Sequence, residues 1–364
     1  MLVHICCSVD SHYFLQRLRE IYPHENFIGF FYNPNIHPID EYDLRLQDVH
    51  RSCENLKITL ICGDYEMDSW LECVAGFECA EEKGERCAIC FESRLNKTAL
   101  LALNLGESKI TTTLLTSPMK SQNELFALGD NIAQKYGLEF IKVDFRGNGG
   151  TQIQANLAKS ANLYRQNYCG CEFALIKQRE RKNQIALELF DEIGGRALKG
   201  SAKYHSEIFA KVWDLERKGR AFILQKNTIN AWRLLSASVK KINGESIHSY
   251  IFAHSKAMKN QKIRNIKWCE ISVDDKKIKA GFADNALFLS VESINKICGA
   301  NHKNALFMRY NPPKFDDELK LRAKLLGTDS IKPIIAVDFA ISENLIININ
   351  AIFQNTDIFE VVEI

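Results

Sequence analysis

Six of the chain's twelve cysteines form three close pairs, a spacing that suits metal binding. The pairs are Cys6-Cys7, Cys87-Ala-Ile-Cys90 and Cys169-Gly-Cys171. Two such pairs supply the four thiolates that a structural zinc ion or a [4Fe-4S] cluster requires. Three pairs exceed that need, which indicates a second metal or a redox-active thiol pair beside the first centre. Zinc is the weaker alternative, because structural zinc sites take their ligands from short local segments.

The thiols are expected to be reduced. The N-terminus reads MLVHICC, without a basic region or a cleavage-site pattern, so a secretory signal is not expected. No apolar stretch of about 18 residues occurs, which argues against a transmembrane helix. A cytoplasmic protein with no membrane partner is therefore predicted. Cys62, in an apolar strand pattern, is predicted to be a packed small hydrophobe rather than a ligand.

The elements that must position these cysteines alternate between strand and helix patterns. Five strand candidates are separated by amphipathic stretches, at residues 2–6, 26–32, 57–62, 109–115 and 139–145. This alternation predicts an α/β fold with a parallel sheet and helices on both faces. Ligands bind beyond the carboxyl ends of such strands. Cys6-Cys7, Tyr32-Asn33 and Thr116 should therefore share one edge of the sheet.

The second half of the chain differs in charge and pattern. Residues 1–175 hold 16 Lys+Arg and 23 Asp+Glu (net −7), whereas residues 176–364 hold 31 and 22 (net +9). Strand patterns there predict a smaller α+β domain, and the Gly194-Gly195 break suggests a catalytic domain at 1–195 and a basic domain at 196–364. Residues 221–270 carry nine basic and two acidic side chains. This surface either is simply solvated or faces an anionic partner.

Five motifs together resemble epoxyqueuosine reductases of the QueH type. They span residues 2–175 in the family's order: His4-Ile-Cys-Cys, Tyr32-Asn-Pro-Asn-Ile-His-Pro, Arg86-Cys-Ala-Ile-Cys-Phe, Thr111-Thr-Thr-Leu with Ser117-Pro-Met-Lys, and Leu163-Tyr-Arg-Gln-Asn-Tyr-Cys-Gly-Cys. The resemblance implies a HUP-like α/β domain and an oxidoreductase that reduces epoxyqueuosine to queuosine at the wobble position of tRNA. It also implies a [4Fe-4S] cluster and an adjacent mononuclear iron.

Under this resemblance the six paired cysteines and Asp10 are the expected metal ligands. Asp10 stands where many members have a third cysteine, and Met119 where many have a histidine. A carboxylate is a harder ligand than a thiolate and suits a ferrous ion. Asp10 is therefore predicted to be a metal ligand, a proton donor, or an N-cap of the following helix.

The remaining candidates are expected to contact the substrate. Tyr32 and Tyr168 are predicted catalytic residues that contact the substrate or donate a proton. Asn33 is a further substrate contact, and Lys120 and Arg165 are predicted to bind the tRNA backbone. Alternatively, Lys120 and Arg165 are ordinary surface or loop-packing residues that do not bind tRNA.

Two other functions compete with this interpretation. A PP-loop tRNA-thiolation enzyme shares the fold, but its phosphate loop needs glycines, and the stretch Cys7-Ser-Val-Asp-Ser has none. A zinc-stabilised RNA-binding protein is the non-enzymatic alternative, and a metal assay separates it from an iron protein. The expected partners are tRNA carrying epoxyqueuosine and an unidentified electron donor. No DNA partner is expected.

Overall fold

The protein divides into two compact units in a computed structural model that describes residues 1–118, 120–192 and 197–364. The first unit contains Met1–Leu189, His205–Gln225 and Glu360–Ile364; the second contains Phe190–Tyr204 and Lys226–Phe359. The predicted boundary between residues 195 and 196 lies outside the described residues and stays a prediction. Met119 lies outside them as well.

The first unit is built on a parallel five-stranded sheet, as predicted. Its strands are β1 (Leu2–Ile5), β2 (Ile28–Phe31), β3 (Thr59–Cys62), β4 (Lys109–Thr112) and β5 (Glu139–Phe140). Their order is β3-β2-β1-β4-β5, with parallel pairing throughout. The central strand β1 is buried along its whole length. Strands covered on both faces are expected to read as continuous apolar runs, as this one does.

Helices flank this sheet and connect its strands. They are α1 (Ser8–Ile21), α2 (Ile39–Leu56), α3 (Met67–Cys73), α4 (Glu85–Leu105), α5 (Gln122–Tyr136), α6 (Gly150–Ser160) and α7 (Glu172–Glu180). Short 3-10 turns occur at Thr113–Thr116 and Leu187–Leu189. The strand predicted at 109–115 therefore ends three residues early, because the Thr112 hydroxyl accepts the Leu114 N–H and caps the turn. The predicted fifth strand is reduced to two residues at the sheet edge.

The second unit is a smaller α+β domain, also as predicted. Its five-stranded sheet has the order β10-β11-β12-β13-β8, and a four-stranded sheet has the order β7-β6-β14-β9. The strands are β6 (Phe222–Lys241), β7 (Ser246–Ile247), β8 (Ser249–Ile251), β9 (Met258–Ile263), β10 (Lys267–Val273), β11 (Lys276–Phe282), β12 (Leu287–Ser290), β13 (Ile334–Val337) and β14 (Leu345–Glu363). In the five-stranded sheet, pairing is antiparallel except between β12 and β13.

The second half of the chain also contains helices. They are α8 (Ala202–Arg217), most of which belongs to the first unit, and α9 (Val291–Cys298), α10 (Ala305–Tyr310) and α11 (Phe315–Leu326) in the second. The last three lie between β12 and β13, where a parallel pair requires a crossover connection. In the described part of the chain, no helix is both long and apolar enough to cross a membrane.

Candidate active site

The loop after β1 places two thiols and a carboxylate side by side. Ligand atoms of Cys6, Cys7 and Asp10 all lie within 4.8 Å of one another. The Cys6 thiol is 3.8 Å from the Cys7 sulfur and donates to Oδ2 of Asp10 at 3.3 Å. These residues follow the carboxyl end of the central strand, as the sequence predicted. The arrangement offers two thiolates and one carboxylate to a single metal ion.

Neighbouring elements hold this group in place. The Thr113 hydroxyl accepts the Cys6 N–H at 3.1 Å and lies 3.3 Å from the Cys6 sulfur. Gln154 on α6 donates from Nε2 to Oδ1 of Asp10 at 2.7 Å. Helix α1 begins at Ser8 with Cys7 as its N-cap, and no side chain caps it. The N-cap alternative for Asp10 is therefore wrong, because its carboxyl group turns instead toward Cys6 and Gln154.

Burial dominates the electrostatics of these groups. Burial raises the pKa of Asp10, and the hydrogen bonds from Cys6, Cys7 and Gln154 oppose that rise. The hydrogen bond with Cys6, together with burial, holds the pKa of the Cys7 thiol well above its ordinary value. Both shifts move the protonation equilibrium of these groups toward the neutral form. A cation would favour the charged forms of the same atoms.

The other four paired cysteines lie at the starts of two helices. Cys87 and Cys90 occupy the first turns of α4, and Cys171 is the N-cap of α7. Between Cys169 and Cys171, Gly170 has φ +108°, and a Cβ there would lie 2.7 Å from Cγ1 of Ile36. Only glycine fits this conformation and this close approach. The backbone conformation therefore requires a glycine between these two cysteines, and the same spacing brings their two sulfurs close together.

These thiols differ in their readiness to ionise. The hydrogen bond from Cys171 lowers the pKa of Cys169 to about 5, and the Lys120 charge also lowers it. The same hydrogen bond raises the pKa of Cys171. Burial raises the pKa of Cys90, against the opposing effects of Arg94 and the Trp70 N–H. Cations and N–H donors near these sulfurs are a setting that stabilises thiolates.

One cavity of about 600 Å³ brings both groups of cysteines together. Its lining includes all six paired cysteines and Asp10. The twelve cysteines are free thiols in this structure. The sequence positions of the pairs lie about eighty residues apart, so the fold gathers them as predicted.

The predicted substrate residues divide into two sets. Lys120, Arg165 and Tyr168 line the cavity. Tyr168 is buried, donates its hydroxyl proton to the His37 carbonyl, and has the Arg45 guanidinium 5.1 Å from its ring. Burial raises the pKa of the Tyr168 phenol well above its ordinary value, so the phenol is protonated at neutral pH.

Tyr32 and Asn33 are not part of this cavity lining. The Tyr32 hydroxyl donates to Oε2 of Glu66 at 2.7 Å. Asn33 is buried, donates to the Ile5 carbonyl at 2.9 Å and accepts from Arg94. Tyr32 thus bonds to the residue that precedes α3, and Asn33 links β1 to α4. Their predicted contacts with substrate stay predictions that the cavity does not support.

Several cavity residues escaped the sequence analysis. They are Arg45, Trp70, Arg86, Arg94 and Gln154. Arg86 lies within a quoted motif, next to Cys87, and that adjacency was the available signal. The other four carry no motif signal, because their roles depend on helices that pack beside the cysteine loops.

The expectation for Cys62 was wrong. This cysteine is exposed, and its sulfur lies 3.4 Å from Nε2 of His50. It is the last residue of β3, an edge strand that is less buried than its apolar sequence suggests. Cys62 is not among the residues that line the cavity in the described part of the chain.

Comparisons with known proteins agree on one family. A family model described as epoxyqueuosine reductase QueH matches residues 1–177. The chain is 40% identical over 370 residues to the epoxyqueuosine reductase QueH of Helicobacter pylori, covering 99% of both chains. It is 34% identical over 189 residues to that of Thermotoga maritima, covering 51% of this chain and 95% of the relative. The Acinetobacter baylyi relative is 34% identical over 176 residues, 48% of this chain and 80% of its own length.

Solved structures resemble the chain only distantly. The U34-tRNA thiolase NcsA from Methanococcus maripaludis with its [4Fe-4S] cluster aligns with a TM-score of 0.31 and 14% identity, over 50% of this chain and 66% of that one. Sequence similarity is the stronger finding, since it extends over the whole chain for one relative and over the cavity-bearing half for the family model. The chain belongs to the epoxyqueuosine reductase QueH family.

Proposed function

We propose that this protein is an oxidoreductase that reduces epoxyqueuosine to queuosine at the wobble position of tRNA. The observation that carries this proposal is the single cavity lined by three cysteine pairs and Asp10. All three cysteine pairs and Asp10 lie within the residues that the family model matches. The reaction removes an epoxide oxygen as water and leaves an alkene, which takes two electrons and two protons. A site for it needs a redox centre beside a pocket of nucleoside size.

The donor set of the cavity fits a [4Fe-4S] cluster. We assign its four thiolates to Cys87, Cys90, Cys169 and Cys171. A low pKa for Cys169, and the positive charges of Lys120 and Arg86 at the cavity, favour thiolates there. When bound, a cluster would supply electrons to the substrate one at a time.

The second group fits an adjacent mononuclear iron. Cys6, Cys7 and Asp10 lie close enough to share one ion and leave room for a further ligand from the cavity. A mixed thiolate and carboxylate set suits ferrous iron. Bound there, the ion would supply Lewis-acid polarisation of an oxygen atom. The chain itself contributes the Asp10 carboxylate, whose Oδ1 accepts a hydrogen bond from Gln154 that fixes its orientation.

The rest of the cavity is assigned to the nucleotide. Tyr168 is assigned to contact with the base, and Lys120 and Arg165 to backbone phosphates. The wobble base must leave the anticodon stack to enter the cavity. The basic segment 221–270 of the second unit is proposed to add further phosphate contacts. We expect the protein to act in the cytoplasm with an electron donor yet to be identified.

Anaerobic purification with iron, sulfide and zinc determination tests this function first. We expect about four iron and four sulfide per chain, plus one further iron. The second step incubates the reduced protein with tRNA carrying epoxyqueuosine and measures queuosine by mass spectrometry. Stoichiometric zinc without sulfide, or an iron protein that leaves epoxyqueuosine unchanged, would contradict the proposal.

A further inference from the structure

Arg86 is a buried cation with only part of its hydrogen-bonding capacity used. Its side chain is 1% exposed, and it lines the cysteine cavity. Nη1 donates to the carbonyls of Phe77, Glu78 and Ala80 at 3.3, 2.8 and 2.8 Å. Nε and Nη2 are buried and have no acceptor among the described residues. A buried donor without an acceptor is destabilising, so these two nitrogens should have a partner.

Trp70 presents a second donor of the same kind. It is also 1% exposed and lines the same cavity. Its Nε1 is buried and has no acceptor at good hydrogen-bonding geometry within the described part of the chain, while its N–H lies near enough to the Cys90 sulfur to favour that thiolate. Buried indole nitrogens ordinarily find a hydrogen-bond partner. Unmatched N–H donors on two side chains at one cavity therefore point to a single bound group that offers several hydrogen-bond acceptors.

Both donors stand beside the four cysteines assigned to the cluster. Trp70 packs in one hydrophobic group with Cys90, Cys169 and Cys171. Arg86 precedes Cys90 by four residues on α4 and so shares its helix face. The Phe173 ring connects the two donors, since it stacks on Trp70 at 6.2 Å and lies 5.7 Å from the Arg86 guanidinium.

We propose that Arg86 and Trp70 donate N–H hydrogen bonds to the sulfur atoms of the bound [4Fe-4S] cluster and raise its reduction potential. The inference rests on the proposed function, because it needs that cluster. Uptake of one electron adds one negative charge to the cluster. A cation and N–H donors at its sulfurs stabilise the reduced state more than the oxidised state.

The experiment measures the midpoint potential of the full-length, cluster-loaded protein in an anaerobic titration followed by electron paramagnetic resonance. Trp70→Phe keeps a smaller aromatic ring against Phe173 and removes the N–H. Arg86→Lys keeps the charge and removes the planar donors. We expect both variants to retain the iron and sulfide content of the unchanged protein and to shift the midpoint to a more negative potential, and the double variant to shift it further.

Trp213→Phe is the matched control. Trp213 also has a buried Nε1 without an acceptor among the described residues, but it packs 6.1 Å from Phe209 and does not line the cavity. The midpoint potential of the Trp213→Phe variant should equal that of the unchanged protein. A cluster-loaded Trp70→Phe with an unchanged midpoint, or an equal shift in Trp213→Phe, would overturn the inference. Should Arg86→Lys fail to fold, Trp70→Phe decides alone. An unchanged protein that binds no cluster would instead overturn the proposed cofactor.

Discussion

Nε2 of Gln154 donates a 2.7 Å hydrogen bond to Oδ1 of Asp10 across 144 residues of sequence. The bond occupies one carboxylate oxygen and leaves Oδ2 facing the Cys6 sulfur at 3.3 Å. Gln154 itself is 5% exposed, so water competes little for this contact. Helix α6 thereby helps to fix the orientation of a carboxylate on α1.

Asp10→Ala should remove one iron per chain and leave sulfide unchanged. The substitution takes away the only carboxylate of the Cys6–Cys7–Asp10 group and spares the four cysteines assigned to the cluster. Reduction of epoxyqueuosine should fall at least tenfold, and Asp10→Cys should retain part of it. Iron and sulfide analysis and single-turnover assays measure both effects. Asp130→Ala, an exposed carboxylate paired with Lys142, is the control. Full iron and activity in Asp10→Ala would disprove the ligand assignment.

Gln154→Leu should weaken iron binding at Asp10 without abolishing it. Removing a side chain that orients a metal ligand typically lowers metal affinity about 10–100-fold. We expect a chelator to remove iron faster, while the sulfide content stays at its original level. Gln152→Leu is matched on the same helix, since Gln152 is exposed and bonds to Asn156. Equal rates of iron release in the two variants would show that the Gln154 hydrogen bond does not position Asp10.

Serine at any of the four assigned cluster cysteines should remove the cluster. The variants are Cys87→Ser, Cys90→Ser, Cys169→Ser and Cys171→Ser, and each replaces a thiolate by a hydroxyl that stays protonated. We expect loss of the brown colour and at least a hundredfold loss of activity. Cys62→Ser and Cys298→Ser are the controls, because neither residue lines the cavity. Loss of the cluster from Cys62→Ser would show that the division of the cysteines into cluster ligands and non-ligands is wrong.

Neutralising basic residues of the second unit should weaken tRNA binding at low salt. The variant replaces four side chains by glutamine: Lys240, Lys241, Lys262 and Arg264. Lys262, Lys240 and Arg264 are exposed, whereas Lys241 is already paired with Glu245 and Glu343. The logarithmic salt slope should drop by about 0.7–0.9 for each phosphate that the variant no longer neutralises. Binding isotherms at several salt concentrations measure it.

A four-charge control separates this effect from net charge. Exposed lysines of the first unit serve this purpose: Lys57, Lys135, Lys142 and Lys159. Their replacement by glutamine should leave the salt slope unchanged. Equal slopes in both variants would exclude a specific RNA surface in the second unit.

His254 should make the protein less stable in mild acid. Burial and the Arg322 charge lower the pKa of His254 to about 4, from 6.5 in the unfolded chain. Between these values the unfolded state binds more protons, so stability falls as pH falls from about 6.5 to about 4. His254→Phe keeps a ring against Trp232, 4.5 Å away, and should flatten this dependence. Urea unfolding at pH 7 and pH 5 measures it, with exposed His248→Phe as the control. An unaltered pH dependence in His254→Phe would contradict the prediction.

The sequence by itself determined which residues could bind metal and which edge of the sheet would carry them. The spacing within each cysteine pair sets local geometry, because backbone conformation over one to four residues limits where two sulfurs can lie. Alternating strands and helices predicted the parallel sheet, and parallel strands carry their carboxyl ends at one edge. The position of Cys6-Cys7 after β1 followed from those patterns alone.

Only the tertiary structure decided which neighbours these residues have. It directed Gln154 to Asp10 and placed Arg86 and Trp70 beside the cysteines. It also paired Tyr32 with Glu66 and Asn33 with strand β1. Local periodicity shows that a helix buries one face, but not which side chain of another helix that face meets. The contact between Gln154 and Asp10 joins residues 144 positions apart and depends on how helices pack on the sheet. The electrostatics of the site follow from burial and charge in that packing, which the order of residues along the chain does not specify.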